Sequence, residues 1–268
     1  MSRDIPSGIS REQKINNGLH TLFTGRQLTL LETVNSTNSF MNNLLLHHRL
    51  PEGAAVVAGE QSAGRGLAHE RWISDGGKNL LMTILFYPAF LSIHHLFLLS
   101  KTFSLGIYDG IAELVNNEVK IKWPNDIYYR DKKLGGILIE NSIRHITLNH
   151  SLFGLGLNVN QEVFPPELPN PVSLKMILGK QIAVDDCFSM LCNTLERRYL
   201  QLKAGHVNKI NEDYIKAMYR FGEFHEYENR IEKFTAKISS VADDGKLILT
   251  RKNGPTEKYD LKEVKFVL

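Results

Sequence analysis

The sequence predicts an α+β fold, a mixed sheet with flanking helices followed by a small all-β module. Three observations carry this. Strand-like runs between Val119 and Asn158 follow one another instead of alternating strictly with helices, which argues against a doubly wound parallel sheet. One long amphipathic stretch, Ser92 to Asn117, and two later ones, Asp185 to Ala204 and Lys209 to Arg220, supply the helices. After Phe221-Gly222 the pattern changes to short strands broken by Asp243-Asp244-Gly245 and Asn253-Gly254, which are turn signals.

Residues 1–25 are polar and weakly patterned, a loose leader or a short helix. Gln27 to Thr33 reads as a strand. Ser39 to His48 has helical spacing, with Phe40, Leu44 and Leu45 on one side, behind small polar residues that suit a helix N-cap. Ala54 to Ala58 and Asn79 to Phe86 are strands on either side of a glycine-rich loop, Gln61 to Gly77. In the long helix Ile93, Leu96, Phe103, Ile107, Ile111 and Leu114 mark the apolar face, and Gly106 and Gly110 are tolerated within it. Val119 to Trp123, Ile127 to Tyr129, Lys133 to Asn141 and His145 to Asn158 are strands. Ile231 to Val241, Lys246 to Thr250, Glu257 to Asp260 and Val264 to Leu268 make the final module, too small to be stable without leaning on the main domain. The expected division is 1–25, a leader of unknown role; 26–221, the main domain; and 222–268, the β module.

At 268 residues the chain is long enough for one sizeable core plus such a module. Its 32 basic and 29 acidic side chains leave a net charge of +3 with no like-charge run of five, so neither nucleic acid nor membrane is implied as a partner. Cys187 and Cys192 make no disulfide framework; they are expected to be packing residues of a cytoplasmic protein. Met1 to Lys14 lacks the apolar core of a signal peptide. Leu80 to Leu99 is interrupted by Pro88, Ser92, His94 and His95 and is not a membrane span. The adjacent pairs His47-His48 and His94-His95 cannot both face one metal from a helix.

Four polar stretches interrupt the apolar pattern. None is a Walker A loop, since Trp72 and Asn79 occupy positions that need Gly and Ser or Thr. None is a dinucleotide fingerprint either, since His69 and Val159 stand where the third glycine belongs. The first stretch runs from Gln61 to Trp72, where Gly64 and Gly66 flank Arg65. Backbone N–H groups there can approach an anion that the guanidinium neutralises, although an isolated G-R-G is more often a surface turn. The second, Lys122-Trp123-Pro124-Asn125-Asp126 followed by Lys133-Leu134-Gly135-Gly136, sets a lysine, an amide and a carboxylate beside a proline turn. That set suits Mg²⁺ and phosphate, or simply ends a strand. The third, Gly154 to Asn160, is a strand whose glycines admit a ligand or another backbone. The fourth, Ser36-Thr37-Asn38, offers hydroxyl and amide hydrogen bonds, or a helix cap.

In this order the four resemble the biotin protein ligase family. Its G-R-G-(x)-W loop, K-W-P-N-D motif with a following K-L-x-G-I-L, and G-x-G-x-N-V-N strand stand at Gly64 to Trp72, Lys122 to Asp126, Lys133 to Leu138 and Gly154 to Asn160. The match runs from about Leu30 to Leu268; lipoate protein ligases share the catalytic fold but not this combination. The resemblance implies a class II synthetase-like catalytic domain, an SH3-like C-terminal barrel and a monofunctional ligase. ATP and biotin would be its substrates, and Mg²⁺ its cofactor. Biotin and ATP would form biotinyl-5'-AMP, and a lysine of the biotin carboxyl carrier domain of a biotin-dependent carboxylase would capture the biotinyl group.

By the same resemblance Ser36, Thr37, Asn38 and Gln61 would bond the ureido head of biotin. Arg65, the Gly66 and Leu67 backbone and Lys133 would surround its carboxylate and the α-phosphate, with Gly64, Gly135, Gly136, Gly154 and Gly156 also at the biotin site. Arg65, Arg71, Trp72, Asn125, Asp126, Lys133 and Asn158 would serve ATP, with Trp72 near the adenine and Asp126 on the metal; Arg65, Lys122 and Lys133 would be catalytic. Two departures stand out. Leu67, Ala68 and Glu70 replace residues that are basic in many members, so the adenylate is expected to be held less tightly. About thirty residues precede the match, too few for the winged helix-turn-helix of bifunctional members, so DNA binding is not expected. A lipoate ligase and a DNA-binding biotin sensor are the rival readings, and a homodimer is left open.

Overall fold

The computed structural model describes residues 10–67, 70–115 and 118–267; residues 1–9 of the leader, Ala68 and His69 of the loop, Asn116 and Asn117 of the expected long helix, and Leu268 lie outside the described residues. The fold is α+β, as the runs of strands predict. β1 (Leu28–Val34), β2 (Ala55–Gln61), β3 (Leu80–Phe86), β4 (Val119–Lys122), β5 (Asp126–Tyr129), β6 (Lys132–Arg144) and β7 (Thr147–Leu157) form one sheet in the order β1-β2-β3-β7-β6-β5-β4. Only β1 and β2 run parallel, so the sheet is mixed.

β3 is buried along its whole length, which is why its sequence is a continuous apolar run rather than an alternating one. One face packs against α2 (Thr37–His47) through Met41, Val56, Leu85 and Leu152. The larger core lies on the other face, under α3 (Phe97–Val115) and α5 (Val184–Lys203), where Phe86, Phe103, Phe153 and Tyr199 meet ring to ring. Cys187 and Cys192 are buried free thiols in this core, and desolvation pushes Cys187 up to about 12, consistent with packing rather than reactivity. No helix among the described residues is long and apolar enough to cross a membrane.

Several boundaries differ from the sequence expectation for identifiable reasons. Of the two expectations for the start of the chain, residues 10–25 hold the short helix and not the loose leader. Ser10 and Gln13 form a capping box on α1 (Arg11–Gly18), Ile15 is buried, Arg11 forks onto Asp185, and the Glu196 carboxylate accepts the N–H groups of Leu22, Phe23 and Thr24. The long helix begins at Phe97, because Ser92 caps a separate 3₁₀ turn at Ile93–His95. α6 (Val207–Ala217) stops before Met218, because the Tyr219 N–H leaves the helix pattern and donates to the Ile121 carbonyl of β4. α4 (Leu174–Leu178), capped by Ser173, was not expected.

The C-terminal strands form a five-stranded antiparallel sheet. Its members are β8 (Phe224–Asn229), β9 (Lys233–Val241), β10 (Leu247–Arg251), β11 (Thr256–Tyr259) and β12 (Val264–Phe266), in the order β11-β10-β9-β8-β12. β8 escapes sequence reading because Tyr227 is its only buried residue. This module docks on the main sheet, with the Trp123 indole N–H donating to the Gly245 carbonyl at 2.8 Å and Arg220 donating to the Val267 carbonyl. The docking brings β12 to the mouth of the site.

Candidate active site

A cleft of about 990 Å³ opens over β6 and β7 and gathers residues from all four polar stretches. Strand register orders it. Leu138 pairs with Gly154 and Gly136 with Gly156, so two levels lie about 7 Å apart along the strands.

The Gly154 level is a hydrogen-bonded polar wall. Thr37, at the start of α2, directs its backbone N–H (2.8 Å) and hydroxyl (3.1 Å) to Gln61 Oε1 at the end of β2. Ser36 and Asn38 flank it, all three being buried. A Cβ on Gly154 would lie 2.4 Å from Asn38 Oδ1, so this glycine makes room for Asn38 of the chain itself. Thr83 of β3, unmarked in the sequence, shares its hydroxyl between Thr37 Oγ1 at 2.8 Å and Asn38 Oδ1 at 2.5 Å.

At the Gly156 level Trp72 takes the space of a side chain. A Cβ on Gly156 would meet its Cε2 at 2.4 Å, and one on Gly136 its Cζ3 at 3.3 Å. The Trp72 indole N–H is buried without an acceptor among the described residues. Beside it Lys133 Nζ pairs with Asp126 Oδ1 at 2.7 Å and lies 5.9 Å from the indole centroid. Lys122 Nζ donates to the Tyr128 hydroxyl at 3.0 Å and faces the rings of Tyr128 (4.8 Å) and Phe266 of β12 (5.0 Å). Burial lowers the Lys122 pKa, opposed by the nearby Asp126 charge. Asn125 donates to the Ile137 carbonyl at 2.6 Å and Asn158 to the Val172 carbonyl at 3.1 Å, so both amides brace backbone while lining the cleft.

The loop is tighter than its glycines suggest. The Gly66 N–H, expected to face an anion, donates to the Glu70 carbonyl at 2.6 Å, and the Trp72 N–H donates to the Gly64 carbonyl at 3.0 Å. Arg65 and Arg71 therefore sit opposite each other, and both line the cleft with Leu67. Of the residues singled out in the sequence, Gly64 and Gly135 do not line it; they permit close backbone packing, against the Trp72 and Gly156 carbonyls respectively. Residues that sequence reasoning missed are Thr83, Glu140 and the β12 region, where Leu261, Lys262, Lys265 and Phe266 close one side. Six basic side chains line the cleft against two acidic ones, Glu70 and Asp126, and even with Arg65 paired to Glu140 the excess of positive charge gives it a field suited to a polyanion.

A family model described as the biotin/lipoate A/B protein ligase family matches residues 30–158. The chain is 31% identical over 191 residues to the bifunctional ligase/repressor BirA of Bacillus subtilis, covering 70% of this chain and 58% of that protein. It therefore spans under two thirds of that relative's length. Against the biotin–[acetyl-CoA-carboxylase] ligase of Mycobacterium tuberculosis it is 29% identical over 182 residues, 66% of this chain and 65% of that one. A solved biotin protein ligase of Aquifex aeolicus, in complex with biotin and ATP, superposes with a TM-score of 0.74 at 23% identity. That superposition covers 90% of this chain and 100% of the other, and it shows a shared fold.

Proposed function

We propose that this chain belongs to the biotin/lipoate A/B protein ligase family, and that it activates biotin with ATP and transfers the biotinyl group to a carrier-protein lysine. One observation carries the reading. A single cleft sets a neutral, hydrogen-bonded wall of Ser36, Thr37, Asn38 and Gln61 one strand-step from the cationic pair Lys122 and Lys133, with the Trp72 indole at the cationic level. A neutral polar head and an anionic tail are what such a cleft would accept.

In the first step a biotin carboxylate oxygen attacks the α-phosphorus of ATP, and the bond to the bridging oxygen breaks, releasing pyrophosphate. In the second, the neutral amine of the carrier lysine attacks the acyl carbon, AMP leaves with the bonding pair, and the amine proton passes to solvent. No protein nucleophile is required. Lys122, Lys133 and Arg71 would offset charge on the phosphates, and the wall would fix the acyl group in line for attack. Mg²⁺, when bound, supplies further neutralisation of phosphate charge. Asp126 would be its ligand, since its carboxylate lines the cleft at the cationic level and Mg²⁺ is commonly held by one or two carboxylates with phosphates and water.

In this reading residues 26–221 carry the chemistry, 222–268 form an SH3-like module against the cleft, and 1–25 precede both. The carrier is the biotin carboxyl carrier domain of a carboxylase, the compartment is the cytoplasm, and the ligase acts as a monofunctional enzyme without DNA, as a monomer or a homodimer. The test is ATP–pyrophosphate exchange with biotin or lipoate, followed by transfer of labelled biotin to a carrier domain. Biotin-dependent exchange and carrier labelling are expected. Exchange supported by lipoate alone would move the chain to the rival ligase class, and retention on DNA at low salt without exchange would favour a sensor.

A further inference from the structure

Glu140, on β6, lies outside the four polar stretches yet joins two of them. Its Oε1 accepts from Arg65 Nη1 at 2.9 Å; its Oε2 accepts from Arg65 Nη2 at 2.7 Å and from Asn38 Nδ2 at 2.8 Å. Asn38 Oδ1 accepts from Thr83, Thr83 meets Thr37, and Thr37 donates to Gln61. Gln61 and Arg65 belong to one continuous segment, so the chain of polar groups closes into a ring that spans β2, α2, β3, β6 and the loop.

Two consequences follow. The bidentate carboxylate takes up the charge and the planar fork of Arg65, so in this arrangement the guanidinium acts as a strut, and Arg71, Lys122 and Lys133, the last shared with Asp126, remain as cations for phosphate. A carboxylate can only accept, which sets the Asn38 amide with nitrogen toward Glu140 and oxygen toward Thr83. An ordinary exposed ion pair would contribute little. Here the third partner, Asn38, is buried, and without Glu140 its Nδ2 would keep only a 3.4 Å contact to the Leu138 carbonyl.

We propose that Glu140 is a positioning residue of the acyl-substrate site, fixing the orientation of the Asn38 amide and anchoring the Arg65 loop to the same wall. The proposal rests on the biotin reading given above. It assigns to Glu140 an effect on biotin affinity exerted through Asn38 and Arg65, without direct contact with the reacting atoms.

The experiment is biotin titration calorimetry without ATP, with KM for biotin and kcat measured by pyrophosphate exchange, on the wild-type chain, E140Q and E140D. E140Q keeps the volume and one acceptor but removes the charge. Its Kd and KM for biotin should rise on the order of tenfold. Its kcat should stay within about twofold, since the phosphate cations are untouched. E140D keeps the charge on a shorter reach and should recover part of the affinity. Wild-type affinity in a folded E140Q, an equal loss in both variants, or a fall in kcat with KM unchanged would each overturn the proposal. A wild-type chain that binds no biotin at all would overturn the biotin reading itself, and this proposal with it.

Discussion

Trp72 fills the volume that a side chain at Gly156 would need, its Cε2 lying 2.4 Å from the place of the missing Cβ. The glycine of β7 is therefore explained by the chain's own indole, and the position of that indole sets the wall on which an adenine or acyl chain would rest. Gly156→Ala should displace Trp72. We expect a change in tryptophan emission and a rise in KM for ATP of about tenfold or more. The strand should survive, because its ladder to β3 and β6 is unaffected. Unchanged emission and KM would show that the ring relaxes into an equivalent place.

Lys133→Ala separates chemistry from stability. The Lys133–Asp126 pair is partly exposed, so its removal should cost no more than about 1 kcal/mol, or roughly 2–4 °C in thermal midpoint for a chain of this size. If the lysine neutralises charge that grows on the phosphate in the transition state, kcat/KM for exchange should fall on the order of 10²- to 10³-fold. Activity lost only in proportion to folded protein would remove Lys133 from the mechanism.

Lys122 gives the pH dependence a sign. Burial holds its pKa below the ordinary 10.5, so it loses its proton earlier than a solvated lysine as pH rises. The alkaline limb of kcat/KM should therefore begin below that value, and Lys122→Arg, which keeps its charge, should move the limb upward. For stability the direction is opposite. Between the folded and unfolded pKa values the unfolded chain binds more protons, so the penalty of the buried charge is fully present below the folded value and is relieved as pH rises through it. Urea midpoints of the wild-type chain should gain on those of Lys122→Met over that range. Parallel profiles for the two proteins would show that Lys122 does not titrate there.

Gly136, Gly154 and Gly156, the proline turn, and Lys122 and Lys133 were legible in the sequence because each is a local exception to an apolar pattern. Glu140 was not. It follows Leu138-Ile139 in a strand run and reads as the polar end of a strand, and its partners are 75 and 102 residues away. Thr83 was hidden inside the fully buried β3, where one hydroxyl does not break the apolar run. Phe266 faces Lys122 only because the C-terminal sheet docks, a tertiary event with no local signal. Local rules also misplaced the end of α6, since Met218 and Tyr219 satisfy helical spacing but the Tyr219 N–H finds its backbone partner at the Ile121 carbonyl.

Leu67 carries the last prediction. With the Gly66 N–H committed to Glu70 and the Arg65 fork committed to Glu140, the described part of the loop offers a bound phosphate chiefly Arg71. Leu67 lines the same cleft on the loop and holds no charge. Preformed biotinyl-AMP should therefore leave this site faster than a basic residue at that position would allow. A charge-assisted contact contributes on the order of 1.5–3 kcal/mol, so Leu67→Arg should lengthen the lifetime of the complex roughly ten- to a hundredfold. The measurement is the dissociation rate of labelled biotinyl-AMP from the two proteins at one ionic strength, since the gain should shrink as salt screens the new charge. An unchanged rate, with the loop still ordered by amide exchange, would mean that the acyl wall and the two lysines govern retention and that charge at position 67 does not.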